Sequence, residues 1–118
     1  MAYLISKEAQ ELLNTVKEFC EKEVKEQCKE YDRSGEWPTE IYKKAIEMQL
    51  HMLEVPEEYG GIGLNRVDVA ALFEEMAKAD AGFATTISAS GLGTKPVLSA
   101  GSDELKKRAC QIIEDGGF

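Results

Sequence analysis

Apolar residues recur along this chain at three- and four-residue steps, and no stretch alternates convincingly at period two, so helices are predicted and strands are not. Ser6 stands where a helix cap is needed, with Glu8 in the turn after it. From there Leu12, Leu13, Val16, Phe19, Cys20, Val24 and Tyr31 make one apolar stripe, while Lys17, Glu18, Glu21, Lys22, Lys25 and Glu26 make a solvated face. Asp32-Arg33-Ser34-Gly35 breaks this helix. Trp37-Pro38 restarts the chain, and Pro38 suits the first turn of a second helix that carries Ile41, Ala45 and Met48 inward. Residues 55–64 hold one proline and three glycines around room for a single helical turn, the pattern of a shaped connection rather than a loose linker. Asn65 caps a third long helix, with Val69, Leu72, Phe73, Met76 and Ala77 on one face and Arg66, Glu74, Glu75 and Lys78 on the other. Ser102 caps a last helix that turns Leu105, Ala109, Ile112 and Ile113 inward, and Gly116-Gly117 stop it.

Between these lies Ala81 to Ala100, where Lys95 is the only charged residue in a chain that is 31% charged. Such a segment reads as a central helix buried on most sides. It is too rich in Ser, Thr and Gly, and too interrupted by Lys95 and Pro96, to span a bilayer, which takes about 20 mainly apolar residues. At about 100° per residue, Ala84, Ser88 and Leu92 share a wall of mostly small residues with Thr85 at its edge, and Phe83, Ile87 and Leu98 share a larger, greasier one. The small wall fits two readings, close helix packing or the side of a ligand site. Pro96 removes a backbone donor and is expected to kink the helix in its last third, and Gly101 ends it.

Composition narrows the classes. A chain of 118 residues is sized for one domain. Fourteen basic against 22 acidic residues give a net charge of −8, which opposes nucleic acid and anionic membrane surfaces alike. Three cysteines with no secretory apolar segment ahead of them lead us to expect free thiols in a reducing compartment, the cytoplasm. Cys20 and Cys28, eight residues apart on one helix, stand about 12 Å apart, beyond disulfide reach. A single histidine, His51, leaves no set of metal ligands and reads as structural. Ser88-Ala89-Ser90-Gly91 lacks the first glycine of a hydrolase elbow, and Gly91-Leu92-Gly93 meets Pro96 where a dinucleotide fingerprint needs its third glycine. The carboxylates fall on solvent faces, so no catalytic residue is expected in this chain.

In order along the chain, Tyr31-Asp32-Arg33-Ser34-Gly35-Glu36-Trp37-Pro38, Val55-Pro56-Glu57-Glu58-Tyr59-Gly60-Gly61-Ile62-Gly63-Leu64, and Glu74-Glu75-Met76-Ala77-Lys78-Ala79-Asp80 resemble the N-terminal helical domain of the flavin-dependent acyl-CoA dehydrogenases. Gly91-Leu92-Gly93 with Pro96 and Gly101-Ser102-Asp103-Glu104-Leu105-Lys106 continue the resemblance, which runs from about Leu4 to Phe118. The family has glycines in the segment where this chain has Gln49 and Met52, and a Tyr-Leu-Pro where it has Ala109-Cys110-Gln111.

The resemblance implies an all-α fold of about five or six helices over residues 1–118, with the family's middle β domain and C-terminal helical domain absent. The chain then reads as a fragment, inactive alone, of an enzyme that oxidises the CH–CH bond of acyl-CoA thioesters in fatty acid metabolism. The resemblance implies FAD in that parent and none for this chain alone, and acyl-CoA and electron-transfer flavoprotein as the parent's partners. A homo-oligomer is expected from walls left uncovered. In the family the helix matching Phe83 to Leu98 lines the acyl pocket, so Ala84, Thr85, Ser88, Ala89 and Leu92 become the candidate substrate-binding residues. Lys95 points by helical angle towards the same wall and snorkels to solvent. The rival reading is a freestanding helical interaction module that kept the fold without the chemistry.

Overall fold

Each long helix after a break in the chain begins on a side chain that occupies its free N–H groups, the helix after Pro38 excepted. The computed structural model describes residues 4–116. Ser6 Oγ accepts the Ala9 N–H at 3.1 Å and opens α1, Lys7–Phe19. The rod continues through one π turn, Cys20–Val24, closed by the Lys25 N–H on the Cys20 carbonyl, into α2, Lys25–Ser34. Gly35, at φ 74°, turns the chain out of it by placing its N–H on the Tyr31 carbonyl at 2.9 Å. Pro38 then precedes α3, Thr39–Glu47. Asn65 Oδ1 takes the N–H groups of Val67 and Asp68, each at 2.9 Å, to start α4, Arg66–Ala79. Asp80 does the same for α5, Ala81–Ala100, accepting the Phe83 N–H at 2.7 Å, and α5 stays helical through Pro96. Ser102 caps α6, Asp103–Glu114. Gly117, expected in the stop of this helix, lies outside the described residues.

The helices pack in sequence, α1 on α4, α4 on α5 and α5 on α6, to make a slab 19 Å thick in its shortest dimension. Among the described residues there is no strand. Val16, Val24, Ile41, Leu72, Met76, Phe83 and Ile87 fill the main core. An aromatic ladder runs from it to the surface. Phe19 meets Phe83 edge-on at 6.1 Å, Tyr42 stacks on Phe83 at 5.6 Å, and the exposed Trp37 stacks on Tyr42 at 4.8 Å. All three cysteines are free and buried. Burial pushes the thiols of Cys20 and Cys28 up to about 11, with Glu75 and Asp80 adding respectively to each, so both behave as small hydrophobes rather than nucleophiles.

Three expectations need correction. On α6, Cys110 and Ile113 turn inward while Leu105 and Ile112 are exposed. The inward pair joins Met52 and Val55 in a second small core with Tyr59 and Leu98, and that contact fixes which side of α6 faces in. On α4, Ala77 is exposed and Ala71 buried. Asp68, expected in solvent with the other carboxylates, is 1% exposed. Its oxygens accept the Ser6 N–H at 3.0 Å, the Ser6 hydroxyl at 2.8 Å and the Asn65 amide at 2.8 Å, tying the start of α1 to the start of α4.

The connection from α3 to α4 folds back on itself. Two short 3-10 turns, Leu50–Met52 and Glu57–Tyr59, are stitched by the Ile62 N–H to the Met52 carbonyl at 3.0 Å, Gly63 to Val55 at 2.9 Å and Leu64 to Leu53 at 3.0 Å. The first turn is entered through Gln49 at φ 59°, the only non-glycine with positive φ among the described residues, in the segment where the family carries glycines. A left-handed side chain costs about 1–2 kcal/mol, part of which glycine's freer unfolded chain takes back. Gln49→Gly should therefore stabilise the chain by about 0.5–1 kcal/mol, read as a higher urea midpoint at unchanged slope. No gain would show that the exposed Gln49 side chain makes a contact worth as much as its strain.

Candidate functional site

Helix α5 is rich in hydroxyls yet presents little polarity, because those side chains turn back onto their own helix. Thr85 donates to the Ala81 carbonyl at 2.7 Å and Ser88 to Thr85 at 2.9 Å. Ser90 donates to Ile87 at 2.9 Å and Thr94 to Ser90 at 2.8 Å. The Thr85, Ser88, Ser90 and Thr94 hydroxyls thus present no unpaired donor.

The walls divide differently from the expected pattern. Phe83, Ala84, Ile87, Ser90 and Thr94 are buried against the neighbouring helices. Thr85, Ala89 and Leu92 are exposed, with Ser88 half-buried beside them. Thus Thr85, Ser88, Ala89 and Leu92 share one outward strip at i, i+3, i+4 and i+7, and Leu92 is 71% exposed, while Ala84 belongs to the core. The helix is not buried on most sides, since α4 and α6 pack beside it and no described element covers the strip.

A second feature lies round the helix from the strip. A cavity of about 340 Å³ opens between α5, the first half of α4, residues 50–55 and Ile113. Leu53, Val69, Phe73, Ile87 and Leu98 make its walls apolar, and Ser90, Gly91 and Thr94 make its α5 side shallow. At its rim Lys95 pairs with Glu54 at 3.0 Å, so Lys95 neither joins the small strip nor points freely to solvent. Gly91 permits this, because a Cβ there would stand 2.9 Å from Glu54 Oε2. Arg66, also at the rim, has no carboxylate at ion-pair distance among the described residues. The small residues on this side went unread in the sequence because the other side of α5 is small too.

His51, likewise on the cavity wall, is 8% exposed. Its Nε2 stands 3.5 Å from the Glu114 carbonyl oxygen, and its buried Nδ1 has no partner among the described residues. Burial pulls its pKa below the usual histidine value against the weaker pull of Glu114, which keeps the ring neutral near pH 7. No group of three or more His, Cys, Asp or Glu suited to a metal occurs among the described residues.

The sequence profile of the acyl-CoA dehydrogenase N-terminal domain matches residues 6–116 of this chain. The chain belongs to that family. It is 33% identical to the probable acyl-CoA dehydrogenase YngJ of Bacillus subtilis over 117 residues, 98% of this chain and 31% of the relative. Butyryl-CoA dehydrogenase from Megasphaera elsdenii superposes with a TM-score of 0.83 at 26% identity, over 98% of this chain and 32% of that one. A chain from a structure described as the electron transferring flavoprotein of Acidaminococcus fermentans gives a TM-score of 0.84 at 28% identity, over 98% and 31%. The chain thus spans about a third of the length of the relatives it matches.

As an acyl-CoA dehydrogenase N-terminal domain, the chain accounts for its own helical layout, but its residues do not fit a flavin dinucleotide. The cavity, at about 340 Å³, is too small for a flavin dinucleotide, and the α5 strip carries no charge. No helix of the described residues is long and apolar enough to cross a membrane.

Proposed function

We propose that this chain shapes the acyl pocket of a longer, FAD-dependent acyl-CoA dehydrogenase of fatty acid metabolism, with the flavin site and the catalytic carboxylate supplied by regions outside residues 1–118. In that reading the parent removes the α and β hydrogens of an acyl-CoA thioester and passes electrons to an electron-transfer flavoprotein. It works in the cytoplasm as a homo-oligomer, and this chain alone is inactive. The observation that carries the reading is the uncovered strip of Thr85, Ser88, Ala89 and Leu92, with Ala84 behind it, in which the Thr85 and Ser88 hydroxyls are bonded to their own helix. An apolar, small-residue face left open in a chain of net charge −8 suits a sliding alkyl chain better than water. The buried free thiols support a reducing compartment.

Ser88→Phe in the full-length enzyme tests it. The bulky ring should shorten the longest accepted substrate and spare short ones. Each excluded methylene forfeits about 0.8 kcal/mol, so losing two or three lowers kcat/KM for long substrates roughly ten- to fiftyfold. Because Ser88 is only half-buried, stability should move by no more than about 0.5 kcal/mol. An unchanged chain-length profile across an acyl-CoA series rejects the assignment.

A further inference from the structure

The cavity beside α5 differs from the strip in shape and in charge. Its floor is closed, because Leu53, Val69 and Ile87 are buried, whereas its rim residues Arg66 and Lys95 are exposed. Of its polar lining, the Ser90 and Thr94 hydroxyls are bonded to α5 carbonyls, and the His51 Nδ1 has no partner among the described residues. Its volume, about 340 Å³, is roughly twice that of an apolar cavity of about 150 Å³ that admits one benzene ring. An occupant of two-ring size therefore fits, and a single ring would leave half the space empty.

The rim adds a sign. Lys95 is neutralised by Glu54 at 3.0 Å, while the exposed Arg66 has no carboxylate at ion-pair distance among the described residues; the acid of its own helical turn, Asp68, is buried and bonded to Ser6 and Asn65. Among the cavity's lining residues, the Arg66 guanidinium is thus the charge left without an ion-pair partner. We propose that this cavity binds a compact apolar monoanion of two-ring size, its body among Leu53, Val69 and Thr94 and its anionic group on Arg66. The site is separate from the acyl strip and does not depend on it.

The 118-residue chain itself serves for the test, with 2-naphthoate as probe and 2-naphthamide as its neutral counterpart. Calorimetry should give one naphthoate per chain, and amide shifts should cluster on Leu53, Val69 and Thr94. Arg66→Gln should weaken naphthoate about two- to fivefold, the worth of an exposed ion pair, and leave naphthamide unchanged. Ser90→Phe, which fills the hole, should abolish binding of both, and Leu92→Ser on the strip should alter neither. Binding that survives in a folded Ser90→Phe chain, equal weakening of both probes by Arg66→Gln, or no saturable binding overturns the proposal. Shifts confined to Thr85, Ser88, Ala89 and Leu92 would overturn it too, while leaving the acyl strip in place. Should Ser90→Phe not fold, the shift map of the unsubstituted chain decides.

Discussion

Gly61→Ala is expected to cost at least about 4 kcal/mol, the largest effect of a methyl added at any described glycine. A Cβ on Gly61 would lie far inside contact distance of the Val55 carbonyl and 2.5 Å from Val55 Cβ. The obstacle is backbone, so no side-chain rotation relieves it. Relief requires the two limbs of the 50–64 connection to part. Parting them would break the Gly63 N–H bond to the Val55 carbonyl, the Ile62 bond to Met52, and the packing of Val55 on Cys110 and Ile113. A chain of this length is held by roughly 6–18 kcal/mol in all, so the loss leaves little margin. Gly93→Ala is the matched control. Gly93 lies within α5 with nothing inside 4 Å of its added Cβ, and alanine there should gain about 0.5–1 kcal/mol of helix propensity. Urea unfolding followed by circular dichroism compares the two, and equal midpoints would refute the packing argument.

Asp68→Ala is expected to cost about 3 kcal/mol. Hydrogen bonds to a charged group each contribute about 1.5–3 kcal/mol, and deletion of the carboxylate strands their donors. Two of the three donors lie on Ser6, 62 residues away, so the change uncouples the start of α1 from the start of α4. The effect should be focused: Ser6 keeps its cap on Ala9, and α1 should stay helical while its amides near Ser6 exchange faster. Asp68→Asn should be nearly as damaging, because its amide would set a donor against the Ser6 or Asn65 donors. Hydrogen exchange and urea titration together check this. A loss under about 0.5 kcal/mol for both variants would mean that these contacts do not hold the two helices.

Helix existence and helix ends were legible because their causes are local. Ser6, Asn65 and Ser102 each cap the helix expected of them, and α5 begins and ends at Ala81 and Ala100 as its charge-poor run suggests. What was not legible depends on residues far apart in sequence. Periodicity shows that α6 has an apolar stripe, but only Met52 and Val55 decide that Cys110 and Ile113, rather than Leu105 and Ile112, turn inward. Asp68 stands three residues after its cap, a spacing that signals a role at the helix start, yet its burial waits on Ser6. On α5 the candidate strip was named as a set, and Thr85, Ser88, Ala89 and Leu92 do share a face, whereas Ala84 went to the core. The cavity on the other side gave no contrast, since Ser90, Gly91 and Thr94 look like the strip when only size and polarity are read.

The π turn at Cys20–Val24 separates helix direction from helix length. Val16, Cys20, Val24 and Cys28 are all buried at strict four-residue steps, and in an unbroken α-helix each step would turn the next side chain by about 40°. By Cys28 the drift would be about 120°, enough to carry it from the core to the rim. The widened turn takes back about one residue's rotation, so both halves of the rod keep the same side towards α4. A related sequence one residue shorter between Cys20 and Val24 would close that turn as ordinary α-helix with its flanks undisturbed. The rod can therefore lose one residue at this turn without re-aiming α2.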